Sequence, residues 1–204
     1  MDSNNYLKDI SEIKNMMNKS SRFISLSGLS GILAGIYALV GAAIAYYLVS
    51  NSVRGYLILD GTIYRICLAI LFGVATLSTL TAIYLSTKKA KKNGEKIWDT
   101  SSKRLLINFL IPMIAGGIYI LIILNQGRYG HTAALMLIFY GLALINASKY
   151  SLGDIRYLGY TQLGLGLICA LYPSYGFWFW VIGFGFMHII YGTIMYFKYD
   201  RVNK

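Results

Sequence analysis

The chain has 204 residues, 56% of them hydrophobic and only 13% charged, with a mean hydropathy of +0.55, whereas a soluble domain carries about 25% charged residues. That composition excludes a soluble catalytic domain. Two cysteines and two prolines exclude a disulfide framework or a collagen-like chain, and abundant Leu, Ile and Tyr exclude an intrinsically disordered one.

A hydrocarbon core about 30 Å thick takes roughly 20 apolar residues per helix. Six such stretches follow one another, over residues 23–49, 64–86, 105–124, 131–148, 156–172 and 177–197. Each is continuously apolar, whereas the strands of a transmembrane barrel alternate over about ten positions. The expected fold is all-α: six transmembrane helices arranged as three hairpins, with both termini on one side.

Residues 1–22 precede the first span. Tyr6, Leu7, Ile10, Ile13, Met16 and Met17 recur at helical spacing opposite Lys8, Asp9, Glu12, Lys14 and Asn15, the pattern of an amphipathic helix lying on a membrane surface. The first apolar run is too long for the apolar part of a cleaved leader and ends in Ala45-Tyr46-Tyr47-Leu48 without a small-residue cleavage pattern. It reads as an anchor.

Sixteen Lys and Arg residues fall on the side of the termini and three, Arg54, Arg65 and Arg128, on the other. Short basic loops stay in the cytoplasm, so both termini, including a tail at 198–204, are expected there, in a bacterial inner membrane. The same bias explains the net charge of +11 without nucleic acid. The segment between spans two and three combines Lys88, Lys89, Lys91, Lys92 and Lys96 with Trp98, which suits anionic lipid headgroups at the cytoplasmic face. A membrane-protein partner or a second copy of the chain is the other expected contact.

Span one carries a stripe of small residues, among them Gly31, Gly35, Ala38 and Ala42, which lets helix backbones approach closely in lipid. Ser20, Ser21, Ala34 and Gly35 recur 81 residues later as Ser101, Ser102, Ala115 and Gly116, consistent with duplicated hairpins. Polar groups gather in the cytoplasmic half: Asn108 on span three, Asn146 on four and Gln162 on five. Pro112 removes the helical hydrogen bond to the carbonyl of Asn108, leaving an acceptor there. Tyr37, Tyr119, Tyr140 and Tyr191 lie near mid-membrane with His188, where each needs an internal partner. These eight residues are the candidate ligand-binding set, and the alternative is a purely structural network.

No carboxylate sits near the midplane, and there is no P-loop, His-Glu-x-x-His, paired Cys-x-x-Cys or acidic cluster. No catalytic residue, metal or cofactor is expected, and Cys67 and Cys169 read as inert thiols. Gly28-Leu29-Ser30-Gly31 resembles the Gly-x-Ser-Gly motif of rhomboid intramembrane proteases, six-span proteins with a catalytic His on the last span, where His188 stands. That resemblance implies a serine protease using Ser30 and His188. The family, however, carries its serine on span four, and the spacing from His188 to Gly192 departs from its pattern.

The run from Ser20-Ser21-Arg22 to Ala34-Gly35-Ile36-Tyr37 resembles that of bacterial six-span integral membrane proteins of about this length, a family without an assigned activity. In architecture the chain is also similar to the substrate-capturing subunits of energy-coupling-factor vitamin transporters, which dock their partner through an Ala-x-x-x-Ala pattern; Ala34, Ala38 and Ala42 fit that spacing. The expected function is a non-catalytic interaction or accessory component. The competing expectation is binding or permeation of a small neutral or amphiphilic ligand.

Overall fold

The structure, a computed structural model, describes residues 26–51, 61–94, 97–151 and 153–201. The expected surface helix over 1–22, the loop bearing Arg54, and Lys96 lie outside the described residues. Among those described, the regular elements are helices: α1 (Gly28–Ser50), α2 (Gly61–Lys92), α3 (Thr100–Asn125), α4 (Thr132–Ala147) and α5 (Ile155–Leu171). A last helical run, α6 (Pro173–Asp200), is α-helical over Gly176–Trp180 and His188–Met195 and π-helical over Val181–Met187 and Tyr196–Asp200. Five helices are long and apolar enough to cross a membrane; α5, with 17 residues, falls just short of that length.

The pairs α1–α2, α3–α4, α4–α5 and α1–α6 run antiparallel, whereas α4 and α6 run parallel. On α1, Gly41 abuts Val74 and Ile70 of α2, while Ser27 just before it donates its N–H to Ser86 Oγ at 3.4 Å. On α3, Gly116 lies under the Phe139 ring of α4. The closest pairs are α4 with α5 and α1 with α6. Helices α2 and α3 stand at the two edges, α2 packed mainly on α1 and α3 mainly on α4.

Glycine makes the two closest pairs. In lipid no hydrophobic force draws helices together, so association relies on dispersion and close backbone approach. A Cβ on Gly35 would sit 2.7 Å from the Gly185 carbonyl oxygen, and one on Gly192 would sit 2.5 Å from the Ile32 nitrogen. Gly31 faces the Gly192 Cα, and Ala38 and Ala42 are buried in the same bundle. Gly31 and Gly35 of the small-residue stripe of span one thus form a contact surface for α6. Between α4 and α5 the same role falls to Gly141, Gly159 and Gly166, each of which would place a Cβ within about 3 Å of opposing backbone.

At one end of the bundle the carboxylates tie helices together. Asp200 Oδ2 accepts the Gly28 N–H at 2.9 Å, capping α1 from another helix, and its Oδ1 pairs with Lys89 Nζ, which also donates to the Leu26 carbonyl at 2.9 Å. These contacts carry α2 to Lys92 and α6 to Asp200, past the expected ends at 86 and 197. Asp99 caps α3 by accepting the Ser102 N–H at 2.7 Å. Asp154, before α5, accepts from Lys198 Nζ at 2.6 Å and Tyr199 Oη at 2.7 Å.

The Lys198 hydrogen bond holds the Asp154 carboxyl below the usual range, against the opposing effect of burial. A depressed carboxylate contributes stability above the unfolded-state pKa of about 3.9, and that stability is lost as pH falls through the native value. Lys198 is more than half exposed, so Asp154→Asn should cost only about 1 kcal/mol at pH 7. Melting of the two proteins in detergent should converge once the pH is well below the ordinary aspartate range. For the glycine contact, Gly192→Leu should destabilise by about 1 to 3 kcal/mol or more. Gly117→Ala, on a glycine of α3 with nothing within 4 Å, should be neutral or stabilising by up to about 1 kcal/mol.

Candidate functional site

Three side chains of the expected set, Tyr140, Gln162 and His188, converge with the Gly183 carbonyl inside the bundle, where α4, α5 and the π-helical part of α6 meet. A π turn is wider than an α turn by about one residue, and this one contains Gly183 and Gly185. The Gly183 carbonyl accepts from two side chains, Gln162 Nε2 at 2.7 Å and His188 Nδ1 at 3.0 Å. A carbonyl can only accept, so Nδ1 of His188 carries the proton and Nε2 is the acceptor. Tyr140 Oη, 2.8 Å from Nε2, is therefore the donor.

Gln162 is oriented by the same carbonyl. Its amide nitrogen must face the Gly183 oxygen, which points Oε1 at the other side of that glycine: a Cβ on Gly183 would lie 2.7 Å from Oε1 and 2.4 Å from Leu137 Cδ2. Gln162 thus grips Gly183 through its carbonyl and against its Cα, where a weak C–H···O contact is the available interaction. Oε1 has no hydrogen-bond donor, although Gln162 is 0% exposed. Rings seal the cluster: His188 stacks on Tyr140 with centroids 5.4 Å apart and on Phe184 at 5.8 Å, and Phe109 meets Tyr140 edge-on at 6.1 Å.

The remaining candidates lie elsewhere. Asn146 Nδ2 donates to the Asn108 carbonyl at 3.0 Å, filling the acceptor that Pro112 leaves open. The Asn108 side chain donates to the Arg104 carbonyl at 2.8 Å. Tyr37 Oη lies 3.4 Å from Thr81 Oγ1, joining α1 to α2. Tyr191 packs against the cluster of Leu144, Ile155, Leu158 and Met195. Tyr119 is 49% exposed on α3. The eight residues therefore form several separate contacts, with Tyr140, Gln162 and His188 as the one group brought together.

Ser30 Oγ donates to the Ser27 carbonyl at 2.6 Å, and both ring nitrogens of His188 are engaged as above, so no hydrogen bond links the two. Cys67 and Cys169 are free thiols on α2 and α5, helices at different places in the bundle. A depression of about 250 Å³ lined by Ala75, Thr76, Thr79 and Leu80 opens on the outward side of α2, away from the buried cluster. Sequence reasoning passed over Gly183; its only signal is the pair of glycines within the bulky run Val181-Ile182-Gly183-Phe184-Gly185-Phe186.

No family model, curated protein or solved structure matches the chain.

Tyr140→Phe should leave His188 Nε2 without its donor and lower stability by about 1 to 3 kcal/mol. Gln162→Leu removes both the bond and the orphaned oxygen, so its cost should be smaller than that of Gln162→Ala, which also opens a cavity. Thermal unfolding of the three variants in one detergent ranks them.

Proposed function

We propose that the chain is a non-catalytic six-pass protein of a bacterial cytoplasmic membrane that works by packing against a partner within the bilayer, another protein or a second copy. α5 completes the six as the fifth span in chain order: about 17 residues suffice for a thin or locally adapted core, and it runs antiparallel to both α4 and α6. Ten described Lys and Arg residues stand at the end where α1 begins and α6 finishes, against Arg65 and Arg128 at the other. That distribution supports cytoplasmic termini.

The observation that carries the reading is the state of the edge helices. Gly73 on α2 and Gly117 on α3 have nothing within 4 Å of an added Cβ, and their neighbours Phe72, Leu77, Ile114 and Ile118 are exposed. A glycine inside a helix costs about 1 kcal/mol relative to alanine. At most other helical glycines of the bundle a neighbouring helix approaches closely and offsets that cost, Gly164 on α5 being open like these two; at Gly73 and Gly117, on the edge helices, an approaching partner would do so. Purification in mild detergent should recover an assembly, and Gly73→Leu or Gly117→Leu should dissolve it without lowering the melting temperature of the monomer. A solitary protein with saturable uptake of a solute would overturn the reading. Labelling should find Asn93→Cys reactive from the cytoplasm and Gln126→Cys and Ser174→Cys from outside.

The second reading, binding of a small neutral or amphiphilic ligand, is favoured by one observation, the donorless Oε1 of Gln162 amid aromatic rings. Pockets for such molecules are mostly apolar with a few placed polar groups. A retained metabolite seen by native mass spectrometry, and lost in Gln162→Leu while the fold persists, would support it. Unchanged mass spectra for both proteins would end it.

A further inference from the structure

We propose that the corner where α2 ends and α3 begins is a docking site for the headgroups of anionic phospholipids. The proposal rests on the reading that the bundle spans a membrane with this end at headgroup level.

Asp99, Asp154 and Asp200 are the acidic residues among those described, and each is already engaged: Asp99 caps its own helix, Asp154 holds Lys198 and Tyr199, and Asp200 holds Lys89 and the start of α1. Among the described residues, the bases at the corner are left over. Lys88, Lys91 and Lys92 recur at the i, i+3, i+4 spacing of one helix face and are exposed, while Lys89 between them turns inward to Asp200. Lys103 and Arg104, in the first turns of α3, are exposed as well. None of these five makes an ion pair with a described residue.

Between the two groups stands Trp98, 67% exposed, the side chain that settles at the boundary of headgroup and acyl chain. Both helices are edge helices, so the corner is open to the bilayer sideways and not only from the aqueous phase. Lysine supplies point charges and arginine a planar fork that matches phosphate oxygens. Five cations and one interfacial indole along an open bundle edge complement a phospholipid that presents a phosphate, a net negative charge and an acyl chain together.

The test uses the full chain with Trp178→Phe and Trp180→Phe, which leaves Trp98 as the only indole. The protein is reconstituted in phosphatidylcholine vesicles containing a minor fraction of brominated phosphatidylglycerol or, in a parallel set, brominated phosphatidylcholine. The expected result is severalfold stronger quenching of Trp98 by the anionic lipid at equal mole fraction. That excess should vanish in about 1 M salt, where the screening length is near 3 Å. It should also fall about fivefold for each of Lys88→Gln, Lys91→Gln and Lys92→Gln. Equal quenching by the two lipids overturns the proposal, as does an excess that survives the triple glutamine variant. Quenching by neither lipid overturns the membrane reading beneath it as well.

Discussion

The bundle depends on backbone meeting backbone between α1 and α6. Gly28, Gly31 and Gly35 on one side and Gly192 on the other bring backbone within reach of backbone, and Gly185 receives the Leu39 side chain, so these helices are held by dispersion and close carbonyl approach, the forces that remain when lipid tails are as apolar as leucine. That contact brings the end of α6 to the start of α1, where Asp200 can cap α1 and reach Lys89 of α2. The edge position of α2 follows from it, and so does the open corner beside Trp98. The second glycine contact, between α4 and α5, frames the other half of the molecule and leaves α3 as the other edge helix.

Between the two halves lies the polar cluster, and its design follows from the cost of burying polar atoms. A carbonyl or imidazole away from water must be paired internally. The Gly183 carbonyl takes two donors, His188 is bonded through both nitrogens, and Tyr140 completes the line. The wide turn of α6 and the grip of Gln162 are one device, because Gly183 can lie against the Gln162 amide only while it has no side chain. Oε1 of Gln162 is the one buried side-chain nitrogen or oxygen among the described residues left without a hydrogen-bond partner, and it is the place where a donor would be welcome.

Much of this was legible in the residues. Continuous apolar runs marked the helices, and the small-residue stripe of span one marked a contact face. The arithmetic of Pro112 foretold an open acceptor at Asn108, and the Asn146 amide fills it. Where legibility failed, the cause was physical. Depth can be read along a span but the facing direction of a residue in a uniformly apolar helix cannot, so Tyr119 and Tyr140 look alike in sequence although one is half exposed and the other bonds His188. The π turn has little local signal beyond its glycine pair, and one of the two donors to its Gly183 carbonyl, Gln162, comes from α5, about 20 residues away along the chain. The pairing of α1 with α6 joins the two ends of the described chain, beyond the reach of periodicity.

The most direct measurement of that pairing is cross-linking in native membranes. A Cβ on Gly185 would lie 2.9 Å from Leu39 Cγ, a spacing that suits a disulfide between the two positions. With Cys67→Ser and Cys169→Ala removing the native thiols, Leu39→Cys with Gly185→Cys should oxidise readily to an intramolecular bridge, while Gly73→Cys with Gly117→Cys, on the two edge helices, should not bridge within one chain. A failure of the first pair to bridge, or equal bridging by both, would contradict the arrangement from which the rest of the account follows.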